Sequence, residues 1–256
     1  MTTNGLPLEA SLIIDNCVLS FLCNYCHARA TGSARNQIIS HMINGLCDIL
    51  RILRSFTPDG MIHNSIAVSD ELDGYAGDLA VKLDQSHVDC RRLVAEIKNE
   101  INSVTVSEED IAIIRGLPAF PVGRFGNNQL DDNDISLAVL ALQLAVGNDQ
   151  VFALTNDDQL LWFMSWLQTK KEIRGIWGDP QLVEGIHCLT YLENVHRHCT
   201  IATDEMLKML QYALLAHYSR ETLVNTNKGK NILNSLFTVQ SNFTKSIQIK
   251  TARGAT

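Results

Sequence analysis

The sequence lacks any apolar segment long enough to cross a membrane. Its most apolar stretch near the start, residues 11–22, is interrupted by Asp15 and Asn16, whereas a spanning helix needs about 18 or more apolar residues in succession. The first ten residues, MTTNGLPLEA, also lack the basic leader segment and the small-residue cleavage site that secretory signals carry. We therefore expect a cytoplasmic protein that has no membrane partner.

Sequence motifs for several enzyme classes are absent as well. The chain contains no Walker loop, no Gly-x-Gly-x-x-Gly turn and no Gly-x-Ser-x-Gly elbow. No motif therefore indicates an enzyme that uses a nucleotide cofactor or a serine nucleophile. Its seven cysteines are an odd number spread from Cys17 to Cys199, which favours buried thiols in a reducing compartment over a disulfide framework. Cys23, Cys26 and His27 resemble a haem- or zinc-ligating string, but half-buried cysteines on a helix are the simpler interpretation.

The charge is acidic overall but unevenly distributed. The net charge is −7, yet no acidic residue follows Glu221 and five basic residues do, which leaves −12 on residues 1–221. An acidic body does not coat nucleic acid nonspecifically, because affinity for phosphate comes largely from lysine and arginine. We expect residues 201–256 to form a C-terminal helix and a basic tail, through which the protein could bind a protein partner or a second copy of itself.

Short apolar runs alternate with amphipathic segments along the first 200 residues. The run at residues 12–14 ends in Asp15, the pattern of a strand buried on both faces. Strands are predicted at residues 12–14, 65–68, 151–155, 173–177 and 186–189, and helices at residues 36–56, from 69 onward, and at 86–102, 135–146 and 203–218. This alternation predicts an α/β fold with a central parallel sheet, and the composition of residues 116–128 predicts a surface loop.

Carboxylates occupy the ends of three of these predicted elements. Asp15 follows the first strand, Asp134 opens a helix, and Asp157 and Asp158 follow the strand at 151–155. The carboxyl ends of parallel strands meet at one edge of a sheet, where ligand sites of such folds lie. Clustered carboxylates repel one another, and a hard cation such as Mg²⁺ or Mn²⁺ relieves that repulsion. Two such ions about 4 Å apart can support hydrolysis of a phosphodiester.

Four stretches of the sequence resemble the PIN-domain nucleases. They are IIDNCVL at residues 13–19, SDEL at 69–72, DISLAVLAL at 134–142 and LTNDD at 154–158. The resemblance covers residues 10–195 and implies a three-layer PIN-like domain over residues 8–200, with an insertion at about 85–130. It also implies a metal-dependent endonuclease that acts on RNA more often than on DNA. Asp15, Asp134 and Asp157 would bind Mg²⁺ or Mn²⁺, and a water molecule would be the nucleophile.

Some positions depart from the family's pattern or leave alternatives open. We assign the second catalytic acid to Glu71, the only glutamate nearby. Asp73 and Asp78 are alternatives, because the family's second acid lies a turn or more inside its helix. Asp158 is expected to add a metal ligand. Asp131 and Asp132 either do the same or serve as N-terminal helix charges. Asn16 and Cys17 replace the small polar residue and the asparagine that usually follow the first aspartate. Thr155 either bonds at the site or caps the next turn.

Candidate phosphate contacts and alternative functions complete these expectations. Lys170, Lys171 and Arg174 form a basic group after the last of the acids, and we expect them to contact nucleic acid. The main alternative is a PIN-like fold that no longer cuts and serves as a binding or scaffold subunit. A toxin ribonuclease of a toxin–antitoxin pair is a further alternative.

Overall fold

The computed structural model describes residues 10–30, 32–121, 130–147, 149–188 and 190–192. One compact unit spans residues 7–188, and the fold is described for that unit. The predicted helix at 203–218 and the basic tail lie outside the described residues. None of the described helices is long and apolar enough to cross a membrane.

A parallel sheet of five strands forms the centre of the fold. Its strands are β1 (Ser11–Ile14), β2 (Ile62–Ser65), β3 (Asn102–Val104), β4 (Val151–Thr155) and β5 (Val183–His187). They are hydrogen-bonded in the order β3-β2-β1-β4-β5, and every pairing is parallel. The predicted α/β class with a parallel sheet is therefore confirmed. The strands predicted at 12–14 and 151–155 are β1 and β4.

Helices cover both faces of the sheet and complete three layers. They are α1 (Asn16–Ala30), α2 (Ile38–Arg54), α3 (Ile66–Leu83), α4 (His87–Asn99), α5 (Glu108–Arg115), α6 (Asp132–Leu144) and α7 (Asp158–Leu167). Ile13 and Ala153 pack in one core cluster with α6 and α7. Right-handed connections between parallel strands place α1 and α2 on the opposite face, where they pack against each other.

Two predicted helices and the helical cysteines are confirmed. The helix predicted at 36–56 is α2, whose apolar residues recur at helical spacing and are buried, namely Ile39, Met42, Leu46, Ile49, Leu50 and Leu53. The helix predicted at 86–102 is α4, and Ser86 caps it by accepting a hydrogen bond from the Asp89 amide. Cys23 and Cys26 are buried on α1. The segment predicted as an insertion contains α4 and β3, which forms one edge of the sheet.

The boundary between β2 and α3 differs from the prediction. The strand expected at 65–68 lies at Ile62–Ser65, and the helix expected from Ser69 begins at Ile66. Ser65 ends the strand because its hydroxyl oxygen accepts a hydrogen bond from the Val68 amide and so caps the helix. Glu71 therefore lies in the second turn of α3 rather than at its start.

Three other boundaries were also predicted wrongly. The strand expected at 173–177 is a short 3-10 helix at Lys171–Gly175, because the amides of Ile176 and Trp177 bond back to the Ile173 carbonyl. The strand expected at 186–189 is β5, which starts earlier at Val183. The helix expected to open at Asp134 begins two residues earlier. Residues 122–128 of the loop predicted at 116–128 lie outside the described residues.

Burial of α6 positions its acidic start. Its eight consecutive residues from Ile135 to Leu142 are all buried, and the helix contacts β1, β2 and β4. Because α6 leads into β4, its first turn lies at the carboxyl edge of the parallel sheet and its last turn at the amino edge. The apolar length of α6 thus holds Asp134 at the edge where β1 and β4 end.

Candidate acidic site at the carboxyl edge of the sheet

The candidate site lies where the direction of the strand order reverses. β1 and β4 are neighbours, and Ile14 pairs with Leu154. From β1 the chain continues to β2 on one side, and from β4 it continues to β5 on the other. The crevice beyond the carboxyl ends of two such strands is the usual ligand position in open α/β sheets. Asp15 and Asp157, which follow these two strands, flank that crevice.

Asp15 is held by two side-chain donors. Its Oδ2 accepts a hydrogen bond from the Thr155 hydroxyl at 2.6 Å and another from the Cys17 thiol at 2.8 Å. The Cys17 sulfur also accepts from the Asn156 amide at 3.0 Å. Thr155 is fully buried, and its Oγ1 accepts from the Asp157 amide at 3.0 Å. Thr155 therefore bonds at the site and also caps the turn, so both of its expected roles are present.

Cys17 has a role that the sequence did not indicate. Burial, and next the neighbouring Asp15 carboxylate, raise the pKa of the Cys17 thiol well above its usual range. The thiol is therefore protonated at neutral pH and can donate to Asp15. It also bridges the ends of β1 and β4, because its hydrogen bonds reach residues that follow each strand.

Burial and the other carboxylates of the site change the pKa of Asp134. Burial raises its pKa from 3.8 to about 7, and the charges of Asp131, Asp15 and Asp157 add to the rise. Among the described residues, no lysine or arginine forms an ion pair with Asp15, Asp134 or Asp157. The three predicted metal-ligating acids thus share one region of uncompensated negative charge.

The other acids near the start of α6 and α7 have separate positions. Asp131 caps α6, and its Oδ1 accepts from the Asp134 amide at 2.9 Å. Asp132 pairs with Arg115 at 2.5 Å, which turns its carboxylate toward α5. Asp157 caps α7 through the Gln159 amide at 2.7 Å, and the exposed Asp158 is the first residue of α7. Metal binding by Asp158 stays a prediction.

Of the three acids considered on α3, Glu71 is placed at the site. One of its oxygens accepts from the Asn16 amide group at 2.8 Å, and the other accepts from the amide group of Asn133. Asp73 instead pairs with Lys98 of α4 at 3.0 Å. Asp78 lies two turns further along α3. The position of Glu71 in the second turn also removes the reason for favouring the later acids.

Buried amide groups without partners surround the same edge. In the described part of the chain, Asn16 Oδ1, Asn156 Oδ1 and both amide atoms of Asn64 are buried and form no hydrogen bond. These residues lie at the carboxyl ends of β1, β4 and β2, which are neighbours in the sheet. A buried polar atom without a partner costs about 1–3 kcal/mol. Such atoms occur where a ligand, an ion or water completes the bonding.

The side chains fit a hard divalent cation in their chemistry. Carboxylate and amide oxygens are the donors that Mg²⁺ and Mn²⁺ prefer. Burial first, and then the neighbouring carboxylates, raise the pKa of Asp134 and disfavour its ionisation. Within the described ranges, no three His, Cys, Asp or Glu side chains already converge as a metal-binding group. The structure thus gathers the acids at one edge without bringing them into ligating positions.

The predicted nucleic-acid contacts lie at the opposite end of α7. Gln168 donates to the carbonyl of Val183, the first residue of β5, so the end of α7 lies at the amino edge of the sheet, about 15 Å from its acidic start. Lys170 donates to a backbone carbonyl at 2.7 Å and lies over the Trp166 ring. Arg174 pairs with an aspartate five residues later. Together with Lys171, these cations are outside the acidic site, and their contact with nucleic acid stays a prediction.

Comparison of the chain with protein-family models, curated proteins and solved structures found no match. The resemblance to PIN-domain nucleases consequently depends on the four sequence stretches alone. The observed fold agrees with it only at the level of a three-layer α/β class. A function for this chain has to be argued from the chemistry of the acidic edge.

Proposed function

We propose that this protein is a divalent-metal-dependent endonuclease of the PIN type that hydrolyses phosphodiester bonds, in RNA more than in DNA. One observation carries the proposal: the ends of β1 and β4 and the first turn of α6 bring Asp15, Asp157 and Asp134 to the carboxyl edge of the sheet. There the charges of Asp15 and Asp157 add to the effect of burial in raising the pKa of Asp134. Their side chains therefore share one site at the reversal point of the sheet. A group of carboxylates without cationic partners is the usual setting for Mg²⁺ or Mn²⁺.

In this proposal each acid has a stated task. Asp15, Asp134, Asp157 and Asp158 would hold the ion, which when bound lowers the pKa of water and neutralises charge on the phosphate. Thr155 and Cys17 orient the Asp15 carboxylate through hydrogen bonds to Oδ2. The other Asp15 oxygen accepts neither of these bonds.

Helix starts supply further attraction for an anionic substrate. α1, α3 and α7 begin within three residues of the end of a strand, at Asn16, Ile66 and Asp158, and so present their N-termini to the carboxyl edge. Backbone amides and the helix dipole at such ends favour phosphate groups. They offset part of the repulsion between a phosphodiester and the acids.

The test mixes purified protein with labelled single-stranded RNA, structured RNA and single-stranded DNA, in Mn²⁺, Mg²⁺ or EDTA. Asp15→Asn and Asp157→Asn each remove one carboxylate with little change in shape. Asp48→Asn is the matched control, because Asp48 is an exposed acid on α2 that pairs with Arg51. We expect metal-dependent cleavage by the wild type and the control, and none by the two site variants. Cleavage that survives both site substitutions would refute the assignment.

The second candidate is a noncatalytic PIN-like subunit that binds nucleic acid or protein. The observation that favours it is the pair of donors on Asp15 Oδ2, because an oxygen that already accepts two hydrogen bonds is a weaker ligand for a cation. This candidate predicts RNA binding in EDTA by gel shift, with no cleavage in any metal. Under the nuclease proposal, cleavage appears when Mn²⁺ is added to the same RNA.

A further inference from the structure

Glu71 connects the starts of α1 and α6, which lie beside the candidate metal ligands Asp15 and Asp134. Its carboxylate accepts from the side-chain amides of Asn16, the first residue of α1, and Asn133, in the first turn of α6. The Asn16 amide group also donates to the Val68 carbonyl at 2.6 Å. We call Glu71, Asn16 and Asn133 the amide clamp. Its members come from three helices, so it depends entirely on the tertiary fold.

Each asparagine of the amide clamp is a sequence neighbour of a candidate ligand. Asn16 directly follows Asp15, and Asn133 directly precedes Asp134. Because the peptide unit between neighbours is rigid, fixing the side chain of an asparagine restricts the backbone that carries the adjacent carboxylate. The separation between the Asp15 and Asp134 backbones is thereby restrained by one acid that lies between them.

The bonding of Glu71 also limits its availability for other tasks. Each of its two oxygens already accepts from an amide group, and no described lysine or arginine pairs with it. Bidentate binding of a cation would have to compete with both amide donors. Among the described residues, the other two acids considered on α3 form no hydrogen bond with Asn16 or Asn133.

We infer that Glu71 is a positioning residue that holds Asp15 and Asp134 at their working separation, and is neither a metal ligand nor a proton-transfer group. This inference depends on the proposed function, since it deepens the account of the same site. Substitution of a residue that orients metal ligands in this way typically weakens metal binding about 10–100-fold.

A reversal of the hydrogen bond between residues 71 and 133 tests the inference. Glu71→Gln leaves a single acceptor oxygen for the two amide donors of Asn16 and Asn133 and so breaks one side of the clamp. Asn133→Asp places two carboxylates opposite each other. The double substitution restores one donor and one acceptor and leaves the net charge of the wild type. A metal ligand lost at position 71 would not be restored by such an exchange.

The first readout is Mn²⁺ affinity measured by electron paramagnetic resonance. We expect each single variant to bind Mn²⁺ about tenfold more weakly, and the double variant to return to within about twofold of the wild type. Unchanged affinity in Glu71→Gln would overturn the inference. A double variant as weak as Glu71→Gln would also overturn it, in favour of direct ligation by Glu71.

The second readout is urea unfolding in EDTA, which separates this inference from the proposed function. Loss of the clamp should lower the unfolding midpoint in both single variants, and the double variant should recover it. Loss of a ligand carboxylate would raise the midpoint in EDTA, because repulsion among the acids falls. If the wild type binds no Mn²⁺, the proposed metal function fails. The recovery in EDTA still decides whether the clamp exists, and its absence would overturn the inference.

Discussion

Replacing Asp134 by asparagine is expected to stabilise the metal-free protein above pH 7 and to leave its stability nearly unchanged near pH 4. Burial and the carboxylates of Asp131, Asp15 and Asp157 raise the pKa of Asp134 to about 7 from 3.8. Between these two values the folded protein binds a proton that the unfolded chain has released. The free energy of unfolding of the wild type therefore falls as pH rises through this window, and the loss is complete above pH 7.

The size of the effect follows from the pKa change. A rise from 3.8 to about 7 corresponds to about 4 kcal/mol at 1.36 kcal/mol for each pH unit, if solvent screening is ignored. Asp134 is only partly buried, so solvent and salt reduce the repulsion, and we expect about 2 kcal/mol. An uncharged asparagine avoids the cost of ionising the carboxyl group in the folded protein. The free energy of unfolding of the variant should therefore exceed that of the wild type by this amount at high pH.

The assay is urea unfolding in EDTA, followed by tryptophan fluorescence, at about pH 4 and about pH 8. Trp162 and Trp166 lie on α7, within the sheet domain, and report its unfolding. Asp48→Asn is the charge-matched control and should behave as the wild type at both values. A variant that is destabilised equally at both pH values, or no more stable than the control at high pH, would refute the reasoning. Mn²⁺ should stabilise the wild type and not Asp134→Asn.

Three further substitutions have expected outcomes. Cys17→Ser keeps a hydrogen-bond donor to the Asp15 carboxylate, so its free energy of unfolding in urea should exceed that of Cys17→Ala by about 1 kcal/mol. Equal unfolding midpoints for the two variants would contradict the hydrogen bond. Lys170→Ala should lower the melting temperature, because its ammonium bonds a carbonyl and lies over a tryptophan ring, and a weaker RNA gel shift would instead identify a nucleic-acid contact. Gly178→Ala would place a Cβ 2.3 Å from the Ala145 carbonyl carbon and should cost about 3 kcal/mol or more. Gly175→Ala, which meets open space, is its control, and similar melting of the two would be contrary evidence.

Elements with a strong local pattern were predicted from the sequence. The apolar run that becomes β1, the run that becomes β4 and the helical spacing of α2 each contain the information for their own structure, because burial selects residues with the period of the element. The boundary at Ser65 was missed, since Ser65 and Ser69 both carry helix-start signals and only the capping bond to Val68 distinguishes them. The segment at 171–175 belongs to a run with strand-like composition, yet its backbone forms a 3-10 helix.

Local sequence patterns identified three acids of the site but did not distinguish the fourth. Asp15, Asp134 and Asp157 could be named because each stands at the end of a locally recognisable element, and parallel strands bring such ends to one edge. The choice of Glu71 over Asp73 and Asp78 had no local signal to support it, because all three lie on one helix within two turns. Which of them contacts Asn16 depends on how that helix packs.

The sequence by itself determined the α/β class, the core helices and strands, and the edge at which the acids lie, since these depend on local periodicity and on the general rules of parallel sheets. Only the tertiary structure decided which side chains of the site form hydrogen bonds with one another. The bonds of Thr155 with Asp15 and of Glu71 with Asn133 join residues that are distant in the chain, and the strand order that brings them together is set by packing of the whole core. The same packing places Lys170 at the far edge, because α7 runs antiparallel to the strands.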